Sequence, residues 1–252
     1  MPDAAIARWL GPQSWIRDGD SPCISLGAPG AFDDEHLFAP CVAHEDAVFR
    51  MWYCGSRGSV ADRVFKLGLA TSSDGINFAK HPQSPVFSFG TGTCSILTPT
   101  LLRHPDGSVC RENGKLRMWF SSCDFPAGDG FHTLHETTSA DGVVWTPPSD
   151  PQLSNVYAPT IIKHDGVYQM WFADVAQDPW CFRYAESRDG IRWDVVPEPV
   201  MVVDQEWEHG RLFYPTVLVR EGLYLMWYGS YTHHSGEEMR TGLGFAVSED
   251  GI

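Results

Sequence analysis

The sequence predicts an all-β propeller, and three observations carry that prediction. A skeleton that begins at Phe32 recurs four times within 252 residues. Each copy contains a Pro-led apolar run, a Met-Trp-aromatic run and a Ser-x-Asp-Gly turn. The spacing is nearly constant: Pro to Met is eleven residues in copies one, three and four and nineteen in copy two, and Met to the Asp of Asp-Gly is 23, 23, 19 and 24. Repeats of about 50 to 70 residues built from several short strands belong to propellers, because helical solenoids have shorter periods.

Taken in order, residues 1–14 carry no usable pattern. Trp15–Ile24 (WIRDGDSPCI) matches the tail of copy one, FAKHPQSPVF at 78–87, with seven residues from the aromatic to the Pro in each. Trp193–Met201 is a shorter version of the same tail. In copy four the sequence reaches Ile252 where that tail would begin. Two readings follow: the stretch at 15–24 supplies the outer strand of the last blade and closes the ring, or the chain is part of a longer ring. A strand that closes a ring hides edges that otherwise invite aggregation. The expected organisation is one domain over 1–252, with repeats at about 32–87, 88–153, 154–203 and 204–252.

Within each copy the apolar residues after Pro (CVAH, TLLRH, TIIKH, TVLVR) predict one strand. A short turn follows, as at His164-Asp165-Gly166 and Arg220-Glu221-Gly222. The Met-Trp-aromatic run (MWY, MWF, MWF, MWY) predicts the next strand, and a third ends in Ser-x-Asp-Gly. Asp-Gly suits a tight turn because Gly accepts positive φ and the Asp side chain caps nearby backbone. The long loops after the Met-Trp strands, 54–66, 121–134, 173–182 and 229–240, are expected to shape a site near the ring axis.

Composition narrows the function. The formal net charge is −14, from 32 Asp and Glu against 18 Lys and Arg. Nucleic acids and anionic membranes both reward a basic face, so neither is expected as a partner. Seven cysteines show no Cys-x-x-Cys spacing, and the N-terminus lacks a basic segment followed by an apolar run. No stretch approaches the roughly 18 apolar residues of a membrane span. A cytoplasmic protein with reduced thiols is predicted.

The combination MWYCGS, GLATSSDGINF and SPVF, recurring with MWF and YAESRDGIRW, resembles the five-bladed propeller glycosidases. That is the arabinanase, levansucrase and invertase superfamily, with glycoside hydrolase families 43 and 32 and the related family 130 mannoside phosphorylases. The resemblance spans residues 15–252. It implies a five-bladed ring whose inner-strand carboxylates surround a central pocket and act on a glycosidic bond of a carbohydrate. Two departures stand out. Four copies are countable, and the acids that families 43 and 32 place beside Pro are replaced by Leu97-Thr98-Pro99 and Phe213-Tyr214-Pro215.

Glycoside hydrolysis requires one carboxyl that donates a proton and a second, ionised, as nucleophile or base. Seven residues before the strand-opening Pro, copies one and four carry Asp33 and Glu208 where copies two and three carry Gly92 and Gln152. Acids at one equivalent position in two blades can converge on an axis. Asp33 is therefore the expected base or nucleophile and Glu208 the expected acid, with the roles exchangeable. Asp34 is a neighbour able to raise a partner's pKa. Asp124 and Asp174 lie just past the Met-Trp strands, as pocket acids or as turn residues. Glu136 takes a place that is Leu69, Tyr184 or Phe245 in the other copies, with Arg183 as a candidate partner.

Trp180, Phe131, Trp207 and Tyr231 fall outside the repeat skeleton and are candidates for stacking on a sugar, whereas Trp52, Trp119, Trp171 and Trp227 recur in register and are read as packing. His132, His135, His209, His233 and His234 fall at the rim, as hydrogen-bonding groups. Their spacing does not aim two imidazoles at one metal, so neither metal nor cofactor is expected. Two alternatives remain beside hydrolysis. One is a carbohydrate-binding propeller without turnover. The other is phosphorolysis, for which Arg57, Arg63, Arg211 and Arg240 are candidate phosphate ligands.

Overall fold

A computed structural model of the chain describes residues 4–11, 13–59, 62–90, 92–127, 131–235 and 238–252. Four antiparallel sheets follow the four sequence copies. Blade one contains β1 (His36–Glu45), β2 (Val48–Ser56), β3 (Lys66–Ser72) and β4 (Ala79–Lys80), paired in that order. Blade two contains β5 (Cys94–Leu101), β6 (Leu116–Asp124), β7 (Thr133–Ser139) and β8 (Leu153–Ser154). Blade three contains β9 (Val156–His164), β10 (Val167–Asp174), β11 (Cys181–Ser187) and β12 (Asp194–Val195). Blade four contains β13 (Leu212–Arg220), β14 (Leu223–Ser235) and β15 (Glu238–Ser248). The strands β1, β5, β9 and β13 are neighbours in that order and surround the axis. Four blades are thus present among the described residues, one fewer than the resemblance implies.

The turns form as their sequences dictate. Each hairpin between first and second strand has both central residues at positive φ: Asp46 and Ala47, Asn113 and Gly114, Asp165 and Gly166, Glu221 and Gly222. That pattern matches the right-handed twist of the flanking strands. In each Ser-x-Asp-Gly turn the serine hydroxyl accepts from the glycine N–H, at 3.0 Å for Ser72 and Gly75 and 2.8 Å for Ser187 and Gly190.

Those turns also join the blades. Trp52 Nε1 donates to the Gly142 carbonyl of blade two at 2.8 Å, Trp119 Nε1 to Gly190 of blade three at 3.1 Å, and Trp171 Nε1 to Gly251 of blade four at 2.7 Å. Burying an indole costs free energy unless its N–H finds an acceptor, so each tryptophan both fills an interface and sets its register. Between blades two and three, Arg117 donates to the Tyr168 hydroxyl at 2.8 Å and to the Asp189 carbonyl at 3.1 Å, while Glu112 and Glu136 of its own blade hold its guanidinium at 2.7 Å.

The eight extra residues of copy two have a visible purpose. They form a hairpin beneath the axis, where the Arg103 guanidinium donates to the Val42 carbonyl of blade one at 2.6 Å. Its backbone N–H reaches Ile161 of blade three at 3.3 Å, and the Pro105 carbonyl accepts from Val219 of blade four at 2.7 Å. One insertion therefore ties all four blades.

The expected closing strand at 15–24 does not form. Those residues hold no strand, Trp15 and Ile16 are 67% and 90% exposed, and blade four stays three-stranded. The N-terminal segment bridges blades four and one by isolated contacts instead. Arg8 pairs with Glu221 at 2.7 Å, Trp227 Nε1 donates to Gln13 at 3.2 Å, and the Cys23 carbonyl accepts from Phe78 at 3.3 Å. Exposed charges at Arg17, Asp18 and Asp20 on such a segment oppose burial against β15. No helix among the described residues is long and apolar enough to cross a membrane, and no disulfide joins the described cysteines.

Candidate functional site

Each inner strand begins before its Pro rather than at it, and the residue preceding that Pro is left-handed in every blade: Ala39 at φ 51°, Thr98 at 45°, Ala158 at 50° and Tyr214 at 56°. Sterics disfavour this conformation for any side chain, and a following Pro restricts it further. At each site the inner strand carries one extra residue opposite Tyr53, Phe120, Phe172 or Tyr228, a β-bulge. A bulge re-aims side chains, and fourfold repetition of a strained one places it at the part of a fold where function concentrates.

Above the bulges, where the inner strands begin, an axial cavity of about 1060 Å³ opens. Its charged and polar lining comes from several elements. Glu35 and His36 lie at the start of β1, Arg63 and His132 in the loops after β2 and β6, and Trp180 and Arg211 before β11 and β13. Phe38, Phe65, Phe125 and Tyr157 supply apolar wall. Below the bulges a second cavity of about 570 Å³ is lined by Ala39, Thr98, Ala158 and Tyr214, and Phe38 borders both. A third, of about 800 Å³, lies along β15, shares Val217 with the second and has no lining residue in common with the axial cavity.

The axial cavity is rich in aromatic faces and hydrogen-bond donors. Trp180 packs edge-on to Tyr157 with centroids 5.5 Å apart, and the Arg211 guanidinium lies 4.5 Å over the Trp180 ring. Asp178 holds Arg211 through two bonds of 2.9 and 3.2 Å. Arg63 stacks 4.3 Å from the Phe125 centroid. The hydroxyls of Tyr157 and Tyr214 meet at 2.9 Å. Burial, with the neighbouring Tyr214, pushes the Tyr157 phenol well above its ordinary pKa, so it stays protonated as a donor.

The expected site residues take other places. Asp33 is 2% exposed, accepts from the Tyr53 hydroxyl at 3.0 Å and pairs with Lys80 at 2.5 Å. Glu208, 5% exposed, accepts from the Tyr228 hydroxyl at 2.6 Å and from the backbone of Asp204 and Gln205 at 3.0 and 3.1 Å. The two acids are held inside separate blades, and neither lines the axial cavity. Asp34 accepts from the Gly30 N–H at 2.6 Å. Asp124 accepts from Thr93 at 2.5 Å and from Ala127, beside a lateral cavity of blade two.

Asp174 pairs with Arg183 at 2.6 Å, so the expected partnership of Arg183 with Glu136 is replaced. Glu136 instead accepts from Arg117 and, at 3.1 Å, from Gln152. Trp207 packs on Tyr228 at 5.8 Å, and Tyr231 packs on Phe213 at 5.2 Å. His209 is exposed, with its backbone N–H on the Tyr231 carbonyl at 2.7 Å. The His234 side chain lies outside the described residues. Of the residues the sequence singles out for the site, Trp180, His132, Arg63 and Arg211 line the axial cavity.

Sequence reasoning missed Glu35, His36 and Tyr157 as lining residues, and it named Arg63 and Arg211 as candidate phosphate ligands. Two signals were present. Glu35-His36 directly precede the first inner strand, and Tyr157 takes the place two before Pro that is Phe38, Leu97 and Phe213 elsewhere.

No protein-family model matches the chain. Two proteins of Mycobacterium tuberculosis, uncharacterized protein MT1551 and uncharacterized protein Rv1502, are each 27% identical over 244 residues, which is 91% of this chain and 77% of theirs. Among solved structures, a glycoside hydrolase superposes with a TM-score of 0.71 at 15% identity, over 85% of this chain and 71% of its own. A member of the GH130 family, described as targeting β-1,2-mannosidic linkages in Candida mannan, gives 0.66 at 16% identity over 93% and 76%. A glycosyl hydrolase from Bacteroides ovatus gives 0.65 at 15% identity over 88% and 69%. By fold, then, the chain is similar to the propellers of glycoside hydrolases.

Proposed function

We propose that this propeller holds a carbohydrate in its axial cavity and acts on one of its glycosidic bonds. The observation that carries the reading is the grouping of Glu35 with Trp180, Tyr157 and Phe125 in one concave site at the axis. Aromatic faces stack on the apolar side of a sugar ring, and phenols and imidazoles bind its hydroxyls. Glu35 is assigned the proton donor to the leaving oxygen, because it is the carboxyl that lines the cavity. Asp33 and Glu208 are assigned to the stability of their blades, since each accepts from a buried tyrosine of its own blade.

A lone lining carboxyl also suits a nucleophile supplied from outside, which keeps phosphorolysis within the same reading. A glycan panel assayed with and without inorganic phosphate separates the two. Release of reducing sugar without phosphate, lost in Glu35→Gln, supports hydrolysis; turnover that requires phosphate supports phosphorolysis. The second reading is binding without turnover, favoured by the commitment of Asp33 and Glu208 to tyrosines. Saturable glycan binding that leaves every bond intact across the panel would establish it, and absence of any glycan binding would remove the carbohydrate reading.

The five-bladed form is part of the proposal. Trp227 donates to Gln13 rather than to an Asp-Gly turn, and among the described residues no indole reaches the turn at Gly75. A fifth module between blades four and one would supply both missing partners. A cytoplasmic setting is proposed from the reduced-thiol composition alone.

A further inference from the structure

We propose that the glycan taken by the axial cavity is acidic, its sugar carboxylate bound by Arg63. This rests on the reading of the cavity as a carbohydrate site and goes on to name the substrate class.

The observation is a contrast among the arginines. Arg117 is held by Glu112 and Glu136, Arg111 by Glu45, Arg183 by Asp174 and Arg211 by Asp178. Arg63 lines the cavity with no carboxylate partner among the described residues, and its Nε is a buried donor with no acceptor there. Arg63 is half-buried, with its Cζ 4.3 Å from the Phe125 centroid and 5.8 Å from that of Phe65. Among the described residues Arg103 likewise has no carboxylate but is held by the Gly107 and Val42 carbonyls, whereas the Arg63 Nε has no acceptor. A buried cationic donor left without an acceptor costs free energy, and an anionic ligand removes that cost.

The charge balance selects a carboxylate over phosphate. Arg211 reaches the same cavity already compensated by the two bonds from Asp178, and Glu35 adds a carboxyl. One uncompensated guanidinium matches one monoanion, in the two-pronged geometry that arginine and carboxylate share. A dianion would meet Glu35 with a single balancing charge. Trp180, beneath Arg211, supplies a flat face for the sugar that carries the acid.

The test uses the full chain and calorimetric titration of uronic-acid oligosaccharides, each beside its carboxyl-reduced counterpart, with inorganic phosphate as a separate titrant. The acidic member of at least one pair should bind about tenfold or more tightly than its reduced form, as expected for one hydrogen-bonded charge pair. The preference should fall steeply with salt, should vanish in Arg63→Gln and should return in part in Arg63→Lys. Comparable unfolding temperatures for the variants show that the loss is not one of fold. Equal affinity for acidic and reduced members overturns the inference while leaving the carbohydrate reading intact. Tight binding of phosphate that competes with the glycan overturns it in favour of a phosphate subsite. Binding of no glycan of either kind overturns both.

Discussion

Blades one and four differ from blades two and three at three linked positions, and the difference explains where the acids are. In blades one and four the Met-Trp pair is followed by Tyr53 or Tyr228, opposite Gly68 or Gly244 on the third strand. A Cβ on either glycine would come within 2.3 Å of the tyrosine ring, so only glycine admits the ring there. The buried hydroxyl then requires an acceptor, which Asp33 or Glu208 supplies. In blades two and three the aromatic is Phe120 or Phe172, the opposing residue is His135 or Arg183, and the offset seven before Pro holds Gly92 or Gln152. With no hydroxyl to satisfy, no acid is needed. Burial together with the adjacent carboxylate pushes both tyrosine hydroxyls above their ordinary range, as a donor committed to an anion should be.

The largest effect should come from removing the acid. Asp33→Ala strands Lys80 and the Tyr53 hydroxyl, and a loss of about 3–5 kcal/mol is expected in denaturant titration, as for breaking a buried ion pair. A change below about 1 kcal/mol would break the comparison. Next is the exchange of identities. Phe120→Tyr adds a buried hydroxyl to a blade that has Gly92 at the acid's offset, and should cost about 1–3 kcal/mol. Gly68→Ala forces a methyl against the Tyr53 ring and should cost a similar ~1–3 kcal/mol by overpacking. Pairing it with Tyr53→Ala should recover part of that loss, visible as non-additive melting temperatures.

The smallest effect is in acid titration, and it sets the junction of blades two and three apart. Burial alone would raise the Glu112 carboxyl, but bonds from Lys163, Tyr168 and Arg117 outweigh it and bring its pKa down to about 2 from the ordinary 4.5. A depressed folded pKa contributes stability above the unfolded value that is lost as pH falls through the folded one. The melting temperature should therefore drop between pH 4.5 and 2, and Glu112→Gln should flatten that slope.

Much of the fold was legible because it is local. Asp-Gly turns depend on neighbours a few residues away and appear where the repeat places them. The tryptophans were legible by their repetition, although Trp52, Trp119 and Trp171 each bond to the next blade. The acid at the seven-residue offset was legible as an anomaly but not as a site. Its tyrosine partner lay in the same four copies, as MWY against MWF, and the three positions vary together. The cavity was harder to read. Glu35, Arg63, His132 and Arg211 come from four loops at no common offset, and only closure of the ring brings them to one place. The stretch at 15–24 misled for a related reason: its resemblance to a strand tail is local, while pairing with β15 depends on an edge more than 200 residues away.

The most direct test compares Glu35→Gln with Asp33→Asn for unfolding temperature and for glycan turnover per folded molecule. Glu35→Gln should melt like the parent chain and lose turnover, whereas Asp33→Asn should melt lower and turn over normally once folded. The opposite result, with turnover lost in a fully stable Asp33→Asn and kept in Glu35→Gln, would contradict placement of the chemistry at the axis.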